Sequence, residues 1–172
     1  MNTLLLEILV GIFIFLVSLG LGFAIFLKNP RSATHRFFFL LSLLIGVYIV
    51  INYFSLHPPT HTIESQLFWI RMVMMITSFI GPVTLFLVHT FPGERMTMRL
   101  RYIIPVCILA LVSAAAALTP FVFQSVEYFN GSITPVPVPG PAIPIFFADF
   151  VGLFIVSFFL LIMRYRKETG ED

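Results

Sequence analysis

Five separate apolar runs, each long enough to cross a bilayer, constrain this chain more than anything else in its sequence. A helix needs roughly 20 apolar residues to span about 30 Å of hydrocarbon. The runs cover about residues 4–27, 37–56, 63–91, 102–118 and 142–163. Polar or proline-bearing segments end them: Lys28-Asn29-Pro30-Arg31, His57-Pro58-Pro59, Pro92-Gly93, Thr119-Pro120 and Arg164-Tyr165-Arg166-Lys167. Charged residues make up only 10% of the 172, and hydrophobic ones 59%. A soluble domain carries about 25% charged residues, so this chain lacks the polar surface to cover itself in water. The first run reads as a retained span and not a leader peptide. No positive segment precedes it, and its apolar core exceeds the usual length of about 7–15 residues. Nucleic-acid binding is excluded by the lack of a basic stripe interleaved with polar residues. The single Cys107 has no disulfide partner in the chain and lies in an apolar run, so it is expected to pack.

Cationic residues in the short connections set the expected direction of travel. Lys28, Arg31 and Arg36 fall in the first connection, Arg95, Arg99 and Arg101 in the third, and Arg164, Arg166 and Lys167 in the tail. The second connection and the long fourth one have none, and the tenth cation, Arg71, lies within a span. The expectation is an all-α membrane protein, a single domain over residues 1–172. It is a bundle of five transmembrane helices with the N-terminus outside and the C-terminus inside, in the inner membrane of the cell. The fourth connection, residues 119–141, is the only sizeable piece outside the bilayer. Phe121 to Tyr128 alternates in part, and Asn130-Gly131 is a type I′ turn signal. Ser132 to Val138 can return as a second strand, and prolines at 135, 137, 139, 141 and 144 limit its pairing to one edge. A small outer β-hairpin between the fourth and fifth helices is therefore expected.

Charges inside a span are costly, about 2.5–3.5 kcal/mol each on insertion scales, so each needs a partner or a wet cavity. Glu7, Arg71 and Asp149 are the three clear cases, on the first, third and fifth spans. Counting residues from the start of each run places them at comparable depth near the outer leaflet, Glu7 slightly shallower. Arg71 could then serve both carboxylates through its planar fork, as an ion-pair staple or as the wall of a ligand pocket. Tyr48, Asn52 and Ser55 align on the second span, and Glu7, Gly11, Ser18 and Gly22 share one face of the first. Arg71, Ser78, Pro82 and His89 share a face of the third, and Pro82 is expected to kink that helix. His57 and His61, with Glu64, have metal-like spacing, but Pro58-Pro59 breaks the helix such a site needs. Those histidines are weak metal candidates, and neither a metal nor another cofactor is expected. No nucleophile–base pair, phosphate loop or haem motif is present, so no enzymatic activity is expected.

Several stretches resemble the N-terminal seven-helix membrane region of bacterial sensor histidine kinases. They are Asn29-Pro30-Arg31-Ser32-Ala33 with Arg36-Phe37-Phe38, then Leu67-Phe68-Trp69-Ile70-Arg71, then Pro82 with Leu85-Phe86 and His89-Thr90-Phe91. Pro139-Gly140-Pro141 after the fourth connection and Arg164 to Gly170 after the fifth span fit the same plan. The resemblance covers essentially the whole chain. It departs in having five spans, in carrying Tyr48 where relatives often have Trp, and in showing no output domain before Asp172. It implies a membrane-embedded sensor or receptor-like input module of a signalling protein, without its own output domain and with no ligand to carry over. Two other classes remain open: a structural or accessory subunit of a larger membrane complex, and a small proton-coupled transporter. The expected partners are the lipid bilayer and other membrane proteins, in a homo- or hetero-oligomer.

Overall fold

The computed structural model describes residues 3–60, 62–91, 95–96, 98–127 and 136–169. The chain runs α1 (Thr3–Lys28), α2 (Ala33–Leu56), α3 (Ile63–Thr90), α4 (Leu100–Ala117), β1 (Phe123–Glu127), β2 (Val136–Pro139) and α5 (Ile143–Thr169). All five helices are long and apolar enough to cross a membrane, which makes this a multi-pass membrane protein. Two of them start before their apolar runs do. α2 begins at Ala33, with Ser32 extended at its N-cap, so its first turn is the polar Thr34-His35-Arg36. α4 begins at Leu100, and Pro105 lies within it without ending it.

The 28 residues of α3 measure about 42 Å at 1.5 Å per residue, well beyond the hydrocarbon thickness. The 18 residues of α4 measure about 27 Å. α3 is the central element. It packs against α2, α4, α5 and β1, whereas α1 packs on α2, and α4 touches α5 only lightly. Its buried residues are mostly small or polar, including Thr77, Ser78, Gly81, Pro82 and Thr90. Lipid tails are as apolar as leucine, so close backbone approach and hydrogen bonds drive association more than apolar burial does. Large side chains such as Leu9, Phe13, Leu16, Phe158 and Phe159 are accordingly exposed, facing what the bilayer would fill.

Small residues mark each crossing. A Cβ on Gly22 would lie 2.5 Å from Ser42 Cβ, and Gly46 sits against the Phe15 ring. The Ser18 hydroxyl donates to the Ser42 carbonyl at 3.3 Å. The Gly11–Ser18–Gly22 face of α1 therefore packs on α2. Phe54 of α2 stacks on Trp69 of α3 with centroids 4.8 Å apart. At the α3–α5 crossing, a Cβ on Gly81 would meet Leu153 Cβ at 3.3 Å.

β1 and β2 pair antiparallel, Ser125 opposite Val138 and Glu127 opposite Val136, with an irregularity between Phe123 and Ser125. The expected Asn130-Gly131 turn lies outside the described residues. Beyond the strands, Gly140 N–H donates to Val122 O at 2.7 Å and Ala142 N–H to Phe121 O at 2.8 Å, leading into α5. Val122, Phe123 and Val126 are buried, which seats this small sheet on the start of α3.

Candidate functional site

Among the described residues, the candidate polar groups of the bundle fall into four places. At the end of α3 next to the sheet, Thr62 caps the helix by accepting the Ser65 N–H at 3.2 Å. Two turns on, Arg71 Nη2 donates to the Phe123 carbonyl at 2.8 Å. Its Nε is buried without a hydrogen-bond partner. The guanidinium thus holds the first residue of β1 to α3, through a carbonyl and not through a carboxylate.

Glu7 sits elsewhere. It is exposed on α1, with Oε2 3.9 Å from His57 Nε2 at the end of α2. The His57 ring lies against Tyr53 at 4.9 Å between centroids. A cavity of about 370 Å³ opens between α1 and α2 below this pair, lined by Gly11, Phe15, Ile49, Tyr53 and Phe54 as well as Glu7. Tyr48 and Asn52 are half-buried on α2, and the Asn52 carbonyl accepts the Ser55 hydroxyl at 2.8 Å.

Asp149 lies deepest. It is 0% exposed, and neither carboxyl oxygen has a hydrogen-bond partner. The polar side chain beside it is Ser113 of α4, itself 2% exposed, with an Oγ that is also outside hydrogen-bonding geometry. On the α3 side it faces Gly81, whose added Cβ would lie 3.6 Å from the Asp149 carbonyl.

The structure therefore does not bring Glu7, Arg71 and Asp149 together. Gly81 is ten residues past Arg71, about 15 Å along the helix, so Arg71 and Asp149 occupy different depths. The reason is the length of α3, which extends well past the start of α5 toward the sheet. Counting from the start of each apolar run assumed that the helices begin in one plane. Glu7 is separated further because α1 packs mainly on α2. Pro82 is buried in a helix that continues unbroken to Thr90. Its ring has no N–H to give the Ser78 carbonyl. His61 lies outside the described residues, and among the described residues no three His, Cys, Asp or Glu are grouped to hold a metal.

The fourth place is the far end of α3. Arg164 Nη1 of α5 donates to the Val88 carbonyl at 2.9 Å and the Phe91 carbonyl at 2.5 Å. Thr34 Oγ1 of α2 donates to Thr90 O at 3.1 Å. A cation and a hydroxyl thus satisfy carbonyls that a helix C-terminus leaves without intrahelical partners. Nearby, Lys28, Thr34, His35, Phe38, Leu87 and Leu161 help line a cavity of about 590 Å³. The sequence marks Arg164 as a tail cation at the end of the fifth span, and it does not show that this side chain meets the end of α3 or that Ser113 lies beside Asp149. Position in the chain carries no signal for which carbonyl or carboxyl such side chains meet.

No curated protein and no solved structure matches the chain. The profile of the N-terminal 7TM region of histidine kinase, however, matches residues 10–171. That match takes in α1 from Val10 onward, α2 to α5 and the sheet, and with them Arg71, Asp149 and Arg164, while Glu7 precedes it. On that evidence, the chain belongs to the family of N-terminal 7TM regions of histidine kinases.

Proposed function

We propose that this protein is the membrane-embedded input module of a bacterial signalling protein, sensory and not catalytic, with its N-terminus outside and its basic tail inside the inner membrane. The observation that carries the reading is the family match over residues 10–171. The orientation rests on the nine cations on one side, which makes the β1–β2 sheet the outer cap.

The packing supplies a physical route for a signal. Arg71 ties α3 to the sheet at one end, and Arg164 ties α5 to α3 at the other. A stimulus that shifts the sheet or the outer part of α3 would thereby move the start of the basic tail. Such a shift needs an element with two arrangements, and α3 at Pro82 is the natural place for it. Glu7, Tyr48 and Asn52 lie toward the same end, where Glu7 and the α1–α2 cavity offer a second outer-facing polar surface. The module works in the lipid bilayer and in an oligomer with other membrane proteins.

Isolation of the full chain from its native membrane in mild detergent tests the reading. Co-isolation with a phosphotransfer protein is expected. Constant stoichiometric recovery with the chains of an energy-converting complex would establish an accessory subunit instead. Uptake of a solute into vesicles, abolished by Asp149→Asn, would establish a transporter.

A further inference from the structure

Among the described residues, Asp149 is the one ionisable side chain with no exposed surface, and no cation forms an ion pair with it. On the elements around α5, the ionisable groups among the described residues all lie away from Asp149 or are turned elsewhere. On α3, Arg71 and His89 are ten and eight residues from Gly81, about 15 Å and 12 Å along the helix. Arg71 is already turned to the Phe123 carbonyl. On α4, Cys107 is exposed six residues before Ser113, and Arg101 and Tyr102 lie near that helix's start. On α5 itself the nearest cation is Arg164, which caps α3. Lys28 and His35 share a cavity with Leu161, twelve residues beyond Asp149. On β1, Glu127 is exposed.

A fully buried carboxylate with no cation and only one hydroxyl beside it is among the costliest groups a protein interior can hold. The neutral acid needs only one acceptor, and the unpartnered Ser113 oxygen is the polar group beside it. A metal cation would need a shell of several oxygens, and two side chains do not supply one. We propose that Asp149 and Ser113 form a proton-binding site between α4 and α5. The closed packing seen here is its occupied form, and a parted, hydrated packing is its empty form.

On release, the carboxyl O–H bond breaks, its electron pair stays on the carboxylate, and the proton passes to water that enters beside Ser113. α4 is the wall able to give way, since it meets α5 only lightly, whereas α3 meets α5 closely at Gly81. The site itself stands independently of the input-module reading. If that reading holds, proton occupancy is a stimulus the module can register.

The test uses the full chain in lipid nanodiscs, followed by infrared difference spectroscopy while pH is varied. Spin labels at Ile108 of α4 and Ile155 of α5, both exposed, report the helix separation in a Cys107→Ser background. A carbonyl band of a protonated carboxylic acid is expected, which Asp149→Asn abolishes. Its loss on raising pH should coincide with a longer label distance, and Asp149→Asn should stay closed at every pH. Ser113→Ala keeps the helix packing and should shift the band, which preserves the test if Asp149→Asn fails to fold. The absence of that band at every pH at which the protein is folded would overturn the proposal. So would its removal by sodium at constant pH, which marks a cation site, or a label distance that ignores the band. No signalling output enters either readout, so this test can fail while the input-module reading stands, and the reverse.

Discussion

Gly140 shows how much a single residue decides where the sheet hands over to α5. An added Cβ there would overlap the backbone of Phe121, and the Gly140 N–H is committed to Val122 O. Gly140→Ala should therefore destabilise the protein by about 1–3 kcal/mol, the usual cost of overpacking, read as a lower melting temperature in detergent. Gly20, with open space around its Cβ position, is the matched control and should tolerate Ala. The hydroxyl side chains within the helices show a second residue-scale habit. Thr77, Ser78, Thr84 and Ser157 each donate to the carbonyl four residues back, at 2.7–3.1 Å. A hydroxyl can satisfy itself in this way without leaving its helix. Asp149 makes no such bond to its own helix, and neither of its carboxyl oxygens has a hydrogen-bond partner, which sets it apart from these hydroxyls.

At the scale of elements, α3 is held at both ends by side chains from its neighbours. Arg164→Gln removes the charge from its C-terminal cap and should cost about 1 kcal/mol. Amide hydrogen exchange should report faster opening of the last turn, residues 87–91, with the Arg71 end unchanged. Equal acceleration at both ends would mean that Arg164 holds the whole bundle and not the cap. Pro82 acts on the same helix from within. Pro82→Ala restores an N–H for the Ser78 carbonyl and should straighten α3. Spin labels placed on either side of position 82 should then move apart, and an unchanged distance would show that α3 carries no bend there. The existence of all five helices was legible from hydropathy, to within a few residues. The starts of α2 and α4 were not, because Thr34-His35-Arg36 and Leu100-Arg101 are helical without being part of the apolar run. Helix formation follows backbone hydrogen bonding, whereas hydropathy sees only the solvent.

For the whole molecule, the direction of insertion is a prediction of its own. In a Cys107→Ser background, a cysteine at the exposed Gln124 of β1 should react with a membrane-impermeant thiol reagent in intact cells. One at Arg166 should react only after permeabilisation, and the opposite pattern would reverse the assigned topology. That assignment depends on nine charges counted along the chain, a one-dimensional quantity. The number of spans is of the same kind: local composition decides whether about 20 residues prefer lipid to water, wherever their neighbours lie. The sequence by itself therefore determined five apolar helices, the expected side of each connection and the presence of Glu7, Arg71 and Asp149 within them. Which polar groups meet depends on the depth and rotation of each helix, and those follow from packing between segments far apart in the chain. Only the tertiary structure sent Arg71 to the Phe123 carbonyl, Glu7 to His57 and Arg164 to the end of α3. It also left Asp149 beside Ser113 with no counter-charge, because α3 overreaches α5 and α1 packs mainly on α2.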